Sequence, residues 1–151
     1  MPTRPRKRGL EARAIGRSRG GPTTKIHAAV DALGLPVRFE ITPGHWGDCP
    51  QAQHLIAGLK GVGHVIADAA CDADPLRCFI AQELGATPQI KQNPTRAQRQ
   101  PIDWVLYKER HLVECFFNRI KRFRRIALRC EKTVTSFRPF VALACAMAWL
   151  A

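Results

Sequence analysis

The stretch YKERHLVECFFNRIKRFRRIALRCEK, Tyr107 to Lys132, determines how the C-terminal half of the chain folds. Its apolar residues recur three and four positions apart, which is the spacing of one face of an α-helix. We predict a single long helix from about Trp104 to about Arg129, with an apolar stripe that packs on a sheet. The stripe consists of Leu106, Val113, Phe116, Phe117, Ile120 and Ala127.

Glu114 lies within this basic segment. At about 100° per residue, Arg110, Glu114 and Lys121 project within about 40° of one another, at the edge of the apolar stripe. One interpretation is an ion pair between Arg110 and Glu114, worth about 0.3–0.5 kcal/mol. The other is a metal ligand, whose basic neighbours hold the phosphates on which the metal acts.

The composition favours a polyanionic partner. The chain has 151 residues, enough for one modest domain, and a formal net charge of +12. A charge this large is typical of proteins that bind nucleic acid, although a solvated basic surface is the simpler alternative. A ribosome-associated basic protein has little beyond charge in its favour. The longest apolar run, residues 140–151, is too short to span a bilayer and predicts a packed C-terminal helix.

The cysteines indicate a reducing environment. The six cysteines form no CxxC pair and no secretory signal precedes them, so we expect free, mostly buried thiols in a cytoplasmic protein. His45, Cys49 and His54 match the spacing of no standard zinc site.

The segments before the long helix indicate a mixed α/β domain. The Gly- and Pro-rich stretch GRSRGGP, with the basic residues before it, predicts a flexible basic arm over residues 1–22. Alternation in PVRFEIT, after KIHAAV, predicts a β-hairpin with Asp31 and Gly34 in its turn. The order of elements predicts an α/β domain with a central mixed sheet over residues 23–151. The further elements are a helix Cys49–Leu59 capped by Asp48, a strand His64–Ala67, a helix Leu76–Leu84 and a strand Thr87–Gln92.

Three acids follow the strand His64–Ala67. Asp68 comes directly after it, and ligands of open α/β sheets bind beyond the carboxyl ends of strands. Asp68 is therefore either a ligand or part of a loop. For Asp72 and Asp74 we favour helix capping or a solvated loop.

The long predicted helix carries a spaced motif that resembles the Y-R-E-K signature of DDE transposases. The motif consists of Tyr107, Arg110, Glu114 and Lys121, which are separated by two, three and six residues. The stretches GRSRGGPTTKIHAAVDALG, FEITPGHWGD, VIADAACD and FFNRIKRFRRIALRCEK resemble the insertion-sequence-five group. The likeness runs from about Gly16 to the C-terminus.

This resemblance implies a ribonuclease-H-like core. In such a core, three acids bind two Mg²⁺ (or Mn²⁺) ions. The enzyme then cuts DNA at the element ends and joins these ends to a target by transesterification. Asp68 matches the second acid and Glu114 the third, so both are expected catalytic residues and metal ligands. The resemblance also implies a dimer on DNA, associated with the bacterial nucleoid and with no membrane. The predicted DNA contacts are Tyr107, Arg110, Lys121, Arg122, Arg124, Arg125, Arg17, Arg19 and Lys25.

The sequence departs from the family pattern near the acids. Ala70 and Cys71 occupy positions where the family has Gly and Tyr, and Cys115 and Cys130 replace Arg and Tyr. The family's first Asp lies on a strand upstream of GRSRGG, where this chain has MPTRPRKRGLEARAI.

The resemblance therefore predicts the C-terminal portion of a transposase that lacks its first strand. Asp31, in the hairpin turn, is not expected to substitute for the first acid. We expect the chain alone to be inactive, with an upstream transposase fragment as a further partner. The alternative is a non-catalytic basic DNA-binding remnant.

Overall fold

The computed structural model describes residues 12–18 and 21–150 and shows the predicted mixture of α-helices and β-strands. The strands are β1 (Gly16–Ser18), β2 (Gly21–Val30), β3 (Pro36–Pro43), β4 (His64–Ala67) and β5 (Thr87–Ile90). The helices are α1 (Asp48–Ile56), α2 (Asp74–Gln82), α3 (Trp104–Lys108), α4 (His111–Ile120), α5 (Arg124–Ala127) and α6 (Val134–Leu150), with a 3₁₀ turn at Ala69–Cys71.

The predicted β-hairpin is confirmed. β2 and β3 pair antiparallel, and the residues of their turn have the chemistry that a turn needs. The Asp31 carboxylate accepts the backbone N–H groups of Leu33 and Leu35, each at 2.9 Å. Gly34 has a φ of 76°, a left-handed conformation that glycine adopts without steric cost. The hairpin is therefore specified largely by its own sequence.

Part of the segment expected to be a flexible arm is a strand. Gly16 to Ser18 form β1 and pair with the start of β2, in the register Gly16 to Thr23. Residues 1–11, 19 and 20 lie outside the described residues, so a flexible arm over residues 1–22 and a domain boundary after it stay predictions.

The strands form two sheets where one central sheet was expected. β1, β2 and β3 make an antiparallel sheet, and β4 and β5 make a parallel pair. β1 pairs with β2 only as far as Thr23, and no other described strand pairs with that edge of β2. Within the described ranges, no strand pairs with the edge of β4 that faces away from β5. Within the described residues, no strand joins the two sheets.

Both sheets nevertheless lie in one layer between two layers of helices. On one side, α1 packs on β2 and β3, and α2 packs on β5. On the other side, α3 packs on β4 and β5, α4 on β2, and α6 on β3. The alternation of β2 divides the core accordingly: Ile26, Ala28 and Val30 face α4 and α6, whereas Ala29 faces α1.

The prediction of one long helix from Trp104 to Arg129 is wrong. The segment forms α3, α4 and α5, which are separated at residues 109–110 and 121–123. At the first break, the Arg110 N–H donates to the Tyr107 carbonyl, a tighter 3₁₀ type of bond. At the second, Phe123 has extended backbone angles, φ −78° and ψ 110°. Because α3 packs on the second sheet and α4 on the first, tertiary packing overrides the helical periodicity.

The C-terminal helix is longer and less buried than expected. α6 begins at Val134, contains Pro139, and buries only one face. No helix in residues 12–18 and 21–150 combines the length and the apolarity that crossing a bilayer requires. The buried face of α6 comprises Phe137, Val141, Ala144, Cys145 and Ala148. The exposed apolar residues are Leu143, Met147, Trp149 and Leu150.

The expectation of mostly buried thiols is also wrong. All six cysteines are free, but three are exposed because they fall on the outer faces of their segments. The exposed ones are Cys78, Cys115 and Cys130.

Candidate active site

Asp68 lies where the sequence predicts, at the carboxyl end of β4. Its side chain is exposed, and Oδ1 accepts the Ala70 N–H at 3.1 Å, so Asp68 caps the 3₁₀ turn. Ala67 pairs with Ile90 across β4 and β5, and the Lys91 N–H donates to the Ala67 carbonyl at 3.2 Å. The chain therefore places the cation Lys91 beside Asp68 at the end of the parallel pair, which the sequence analysis did not identify. The order strand, helix, strand over residues 64–92 was the sequence signal for a parallel pair, in which the carboxyl ends of both strands lie together.

Cys71 is buried, three residues after Asp68, at the position where DDE transposases of the insertion-sequence-five group have Tyr. Burial, with the negative charges of Asp68, Cys49 and Asp48, raises the pKa of the Cys71 thiol to about 12. The thiol is therefore protonated at neutral pH, and it contributes packing rather than nucleophilic chemistry.

The prediction that Asp48 caps α1 is wrong. Gly47 holds the cap position without a side-chain bond, and Asp48 lies in the first turn. Its Oδ1 contacts Lys25 Nζ at 3.1 Å and His27 Nδ1 at 3.5 Å, while His27 Nε2 lies 2.7 Å from Thr42 Oγ1. Burial is the main cause that lowers the pKa of His27. Lys25, a predicted DNA contact, is therefore already paired.

Asp72 is a buried structural carboxylate rather than a helix cap or a solvated loop residue. Its side chain is 1% exposed, and Oδ1 accepts hydrogen bonds from Arg77 Nε and Arg96 Nη1, each at 3.0 Å. Oδ2 accepts the Asn93 N–H at 2.8 Å. Burial raises the pKa of Asp72, but the Asn93 N–H and the two guanidinium groups outweigh it and lower the pKa overall. Asp74, in the first turn of α2, pairs with Arg96.

Glu114 lies in the first turn of α4, on the exposed side. Its side chain is 56% exposed, and Oε1 contacts Arg110 Nη2 at 2.6 Å. The predicted ion pair between Arg110 and Glu114 is therefore present, and the role of Glu114 as a metal ligand stays a prediction. Tyr107 packs edge-on against Trp104, with ring centroids 5.6 Å apart.

Asp68 and Glu114 lie on different elements, Asp68 directly after β4 and Glu114 in α4. Leu112, near the start of α4, packs over Gly34 in the hairpin turn. The charges of Asp68 and Asp48 both act on the Cys71 thiol, and Asp48 binds Lys25 in the middle of β2. The two carboxylates share no hydrogen-bond or ion-pair partner, and the described residues contain no group of three or more His, Cys, Asp or Glu that could hold a metal ion. One site formed by both acids stays a prediction.

Among the predicted DNA contacts, the cations around α5 are the most available. Lys121, Arg122 and Arg124 are exposed and form no ion pair with any residue of the described ranges. Arg125 binds Glu131 at 2.6 Å and stacks over the Phe140 ring. The two predicted contacts near the N-terminus are Arg17, which is exposed on β1, and Arg19, which lies outside the described residues.

The exposed acid lies where ligands of open α/β sheets bind, and the basic charge of the chain is typical of proteins that bind nucleic acid. Residues 4–149 match the family described as transposase DDE domain. A candidate transposase for insertion sequence element IS6501 from Brucella ovis is 71% identical over 128 residues, which cover 85% of this chain and 98% of that relative. No solved structure matches the chain. The chain belongs to the transposase DDE domain family.

Proposed function

We propose that this chain contributes the second and third acids, Asp68 and Glu114, to a DDE transposase active site of the insertion-sequence-five group. Transposases act on DNA, and the proposed chemistry is cleavage at the element ends followed by strand transfer to a target. The observation that carries the proposal is the exposed Asp68 at the carboxyl end of β4, in a chain that matches the transposase family over almost its whole length.

The arrangement of the two sheets is compatible with a ribonuclease-H-like core. A further strand between β2 and β4 would join both sheets into one, since the same helical layers already cover both. Such a strand would also occupy the position from which the family's first acid acts. The break between α3 and α4 provides a point at which the segment with Glu114 can change direction when the sheet is completed.

The available carboxylates fit a divalent metal in part. Mg²⁺ is commonly held by one or two carboxylates, with phosphate and water oxygens completing its shell. Asp68 has one oxygen free of the N-cap bond and Glu114 is largely exposed, so both can supply hard oxygen ligands to Mg²⁺ or Mn²⁺. A bound ion would activate the attacking oxygen and stabilise the leaving oxygen of a phosphodiester.

Two acids are fewer than a two-metal site requires, so we propose that this chain alone does not cleave DNA. The first acid would come from an upstream transposase fragment or from a strand encoded before residue 1. We further propose that the complete assembly is a dimer on DNA in the bacterial cytoplasm, bound to the nucleoid.

An element-end cleavage assay with Mg²⁺ or Mn²⁺ tests the proposal. The assay compares the 151-residue chain with a chain extended upstream by an Asp-bearing strand. We expect cleavage by the extended chain only, with Asp68→Ala and Glu114→Ala each lowering it more than about 100-fold, because even residues that merely orient a metal ligand are worth 10–100-fold. Cleavage that survives Asp68→Ala in the extended chain would contradict the assignment.

A second candidate function is DNA binding without catalysis. The observation that favours it is the set of exposed cations around α5, Lys121, Arg122 and Arg124, which form no ion pair within the described residues. Duplex binding that falls steeply with salt, in a chain that stays inactive after the upstream extension, would support this function over the first.

A further inference from the structure

The segment that follows β5 forms a loop, residues 91–103, held at several points. Asn93 and Arg96 both bind the buried Asp72 carboxylate, and Arg96 also pairs with Asp74. At the other end of the loop, the Asp103 N–H donates to the Gln89 side chain at 2.8 Å. The β5–α3 loop is therefore fixed against the sheet although most of its residues are exposed.

The Asp72 carboxylate is also bound by Arg77. Arg77 is 8% exposed on its side chain. Its Nη2 donates to the Ile90 carbonyl at 2.9 Å, and its Nε donates to Asp72 Oδ1 at 3.0 Å. Ile90 is the last residue of β5, so one guanidinium joins the strand end to the carboxylate that holds the loop. The position of the loop thus follows from the position of β5.

Two cations of this loop have no partner in the part of the chain that the structure describes. Lys91 and Arg99 are exposed and form no side-chain hydrogen bond or ion pair with the residues in the described ranges. In contrast, the Arg96 guanidinium forms ion pairs with Asp72 and Asp74. Lys91 is next to Asp68 in the parallel register, so the loop carries fixed positive charge to the strand end where the proposed chemistry occurs.

We infer that the β5–α3 loop is a binding surface for the phosphate backbone of DNA, with Lys91 and Arg99 as the contacts and Asp72 as the positioning residue. The inference rests on the proposed function, which brings DNA to Asp68. A loop that is already ordered loses little conformational freedom on binding, which favours its contacts with phosphates. Arg96 acts through Asp72 and does not itself contact DNA.

The test is a titration of the full 151-residue chain with a short duplex of arbitrary sequence at several salt concentrations. Each phosphate contact contributes about 0.9 to the slope of log affinity against log salt. The double variant Lys91→Gln/Arg99→Gln should therefore lower the slope by roughly 2. The matched control is Lys60→Gln/Arg138→Gln, which removes the same charge from exposed positions before β4 and on α6 and should keep more of the wild-type slope.

Arg96→Gln separates positioning from simple charge. Its guanidinium is already bound, so a purely structural role predicts an unchanged slope at temperatures where circular dichroism shows a folded variant. The inference predicts a lower slope, because Lys91 and Arg99 lose their fixed position.

The outcomes distinguish this inference from the proposed function. A steep salt dependence in the wild type that persists in Lys91→Gln/Arg99→Gln would overturn the loop contacts alone. An unchanged slope in Arg96→Gln would overturn the role of Asp72. A flat salt response in the wild type would remove DNA binding itself, and with it the proposed function.

Discussion

Asp68 and Asp72 are four residues apart in the same stretch, VIADAACD, yet their surroundings differ in every respect that decides a carboxylate's role. Asp72 is 1% exposed on its side chain and accepts bonds from two guanidinium groups and a backbone N–H. Asp68 is exposed and accepts one backbone N–H. A carboxylate whose oxygens are all engaged stabilises the fold, whereas one with a free oxygen can bind a ligand.

The largest effect is expected from Asp72→Ala. Removing one partner of a buried ion pair leaves Arg77 as an uncompensated buried charge, so we expect a loss of about 3–5 kcal/mol in the free energy of unfolding. Denaturant unfolding monitored by circular dichroism measures it. Asp74→Ala is the matched control, since its carboxylate is 75% exposed and its ion pair should be worth no more than about 1 kcal/mol. Equal losses in both variants would abolish the contrast between the two kinds of acid.

The second effect is the pH dependence that Asp72 confers. Its pKa is lowered in the folded chain, so the folded state binds fewer protons there than the unfolded state. This contribution to stability is fully present above the unfolded pKa, near 3.8, and is lost as the pH falls through the lower folded value. The gap in unfolding free energy between the wild type and Asp72→Asn should therefore narrow below about pH 4. A gap that stays constant from neutral to acidic pH would show that Asp72 is not ionised in the fold.

A smaller effect on stability is expected from Asp68→Asn. The amide oxygen can still accept the Ala70 N–H, so the cap survives and the free energy of unfolding should change by less than about 0.5 kcal/mol. Chemical denaturation checks this value. A loss as large as that of Asp72→Ala would show that Asp68 is a structural residue, and its assignment as a ligand would fail.

The smallest effect is expected from Glu114→Gln. The ion pair with Arg110 is exposed and spaced four residues apart, so its loss should cost about 0.5 kcal/mol or less. The same denaturation experiment, repeated at high salt, should reduce even this difference because salt screens exposed charges. A cost above about 2 kcal/mol would mean that Glu114 supports the fold in the manner of a buried hydrogen-bonded charge.

Local chemistry explains which parts of the fold the sequence could predict. The hairpin turn follows from Asp31 and Gly34, and β4 follows from the short apolar run between Gly63 and Asp68. The breaks at residues 109–110 and 121–123 could not be predicted, because they depend on which sheet each helix packs against. The periodicity of the segment is continuous across both breaks.

The candidate site shows the same division. Asp68 was identifiable because it directly follows an apolar strand. The role of Asp72 was not, since its partners Asn93 and Arg96 lie more than twenty residues away in sequence and only the fold brings them to the carboxylate. Its neighbourhood is a property of the tertiary structure, and a local cap is all that sequence spacing can suggest.

The unpaired edge of β2 has a consequence for how the chain exchanges its amide hydrogens with water. In an antiparallel strand, alternate residues direct their N–H groups to opposite edges. Along residues 24–30, the described chain pairs only the edge toward β3, so every second amide lacks a strand acceptor among the described residues. Those amides should exchange rapidly without any opening of the fold, while their neighbours are protected. A strand that docks between β2 and β4 would convert this alternating pattern into uniform protection.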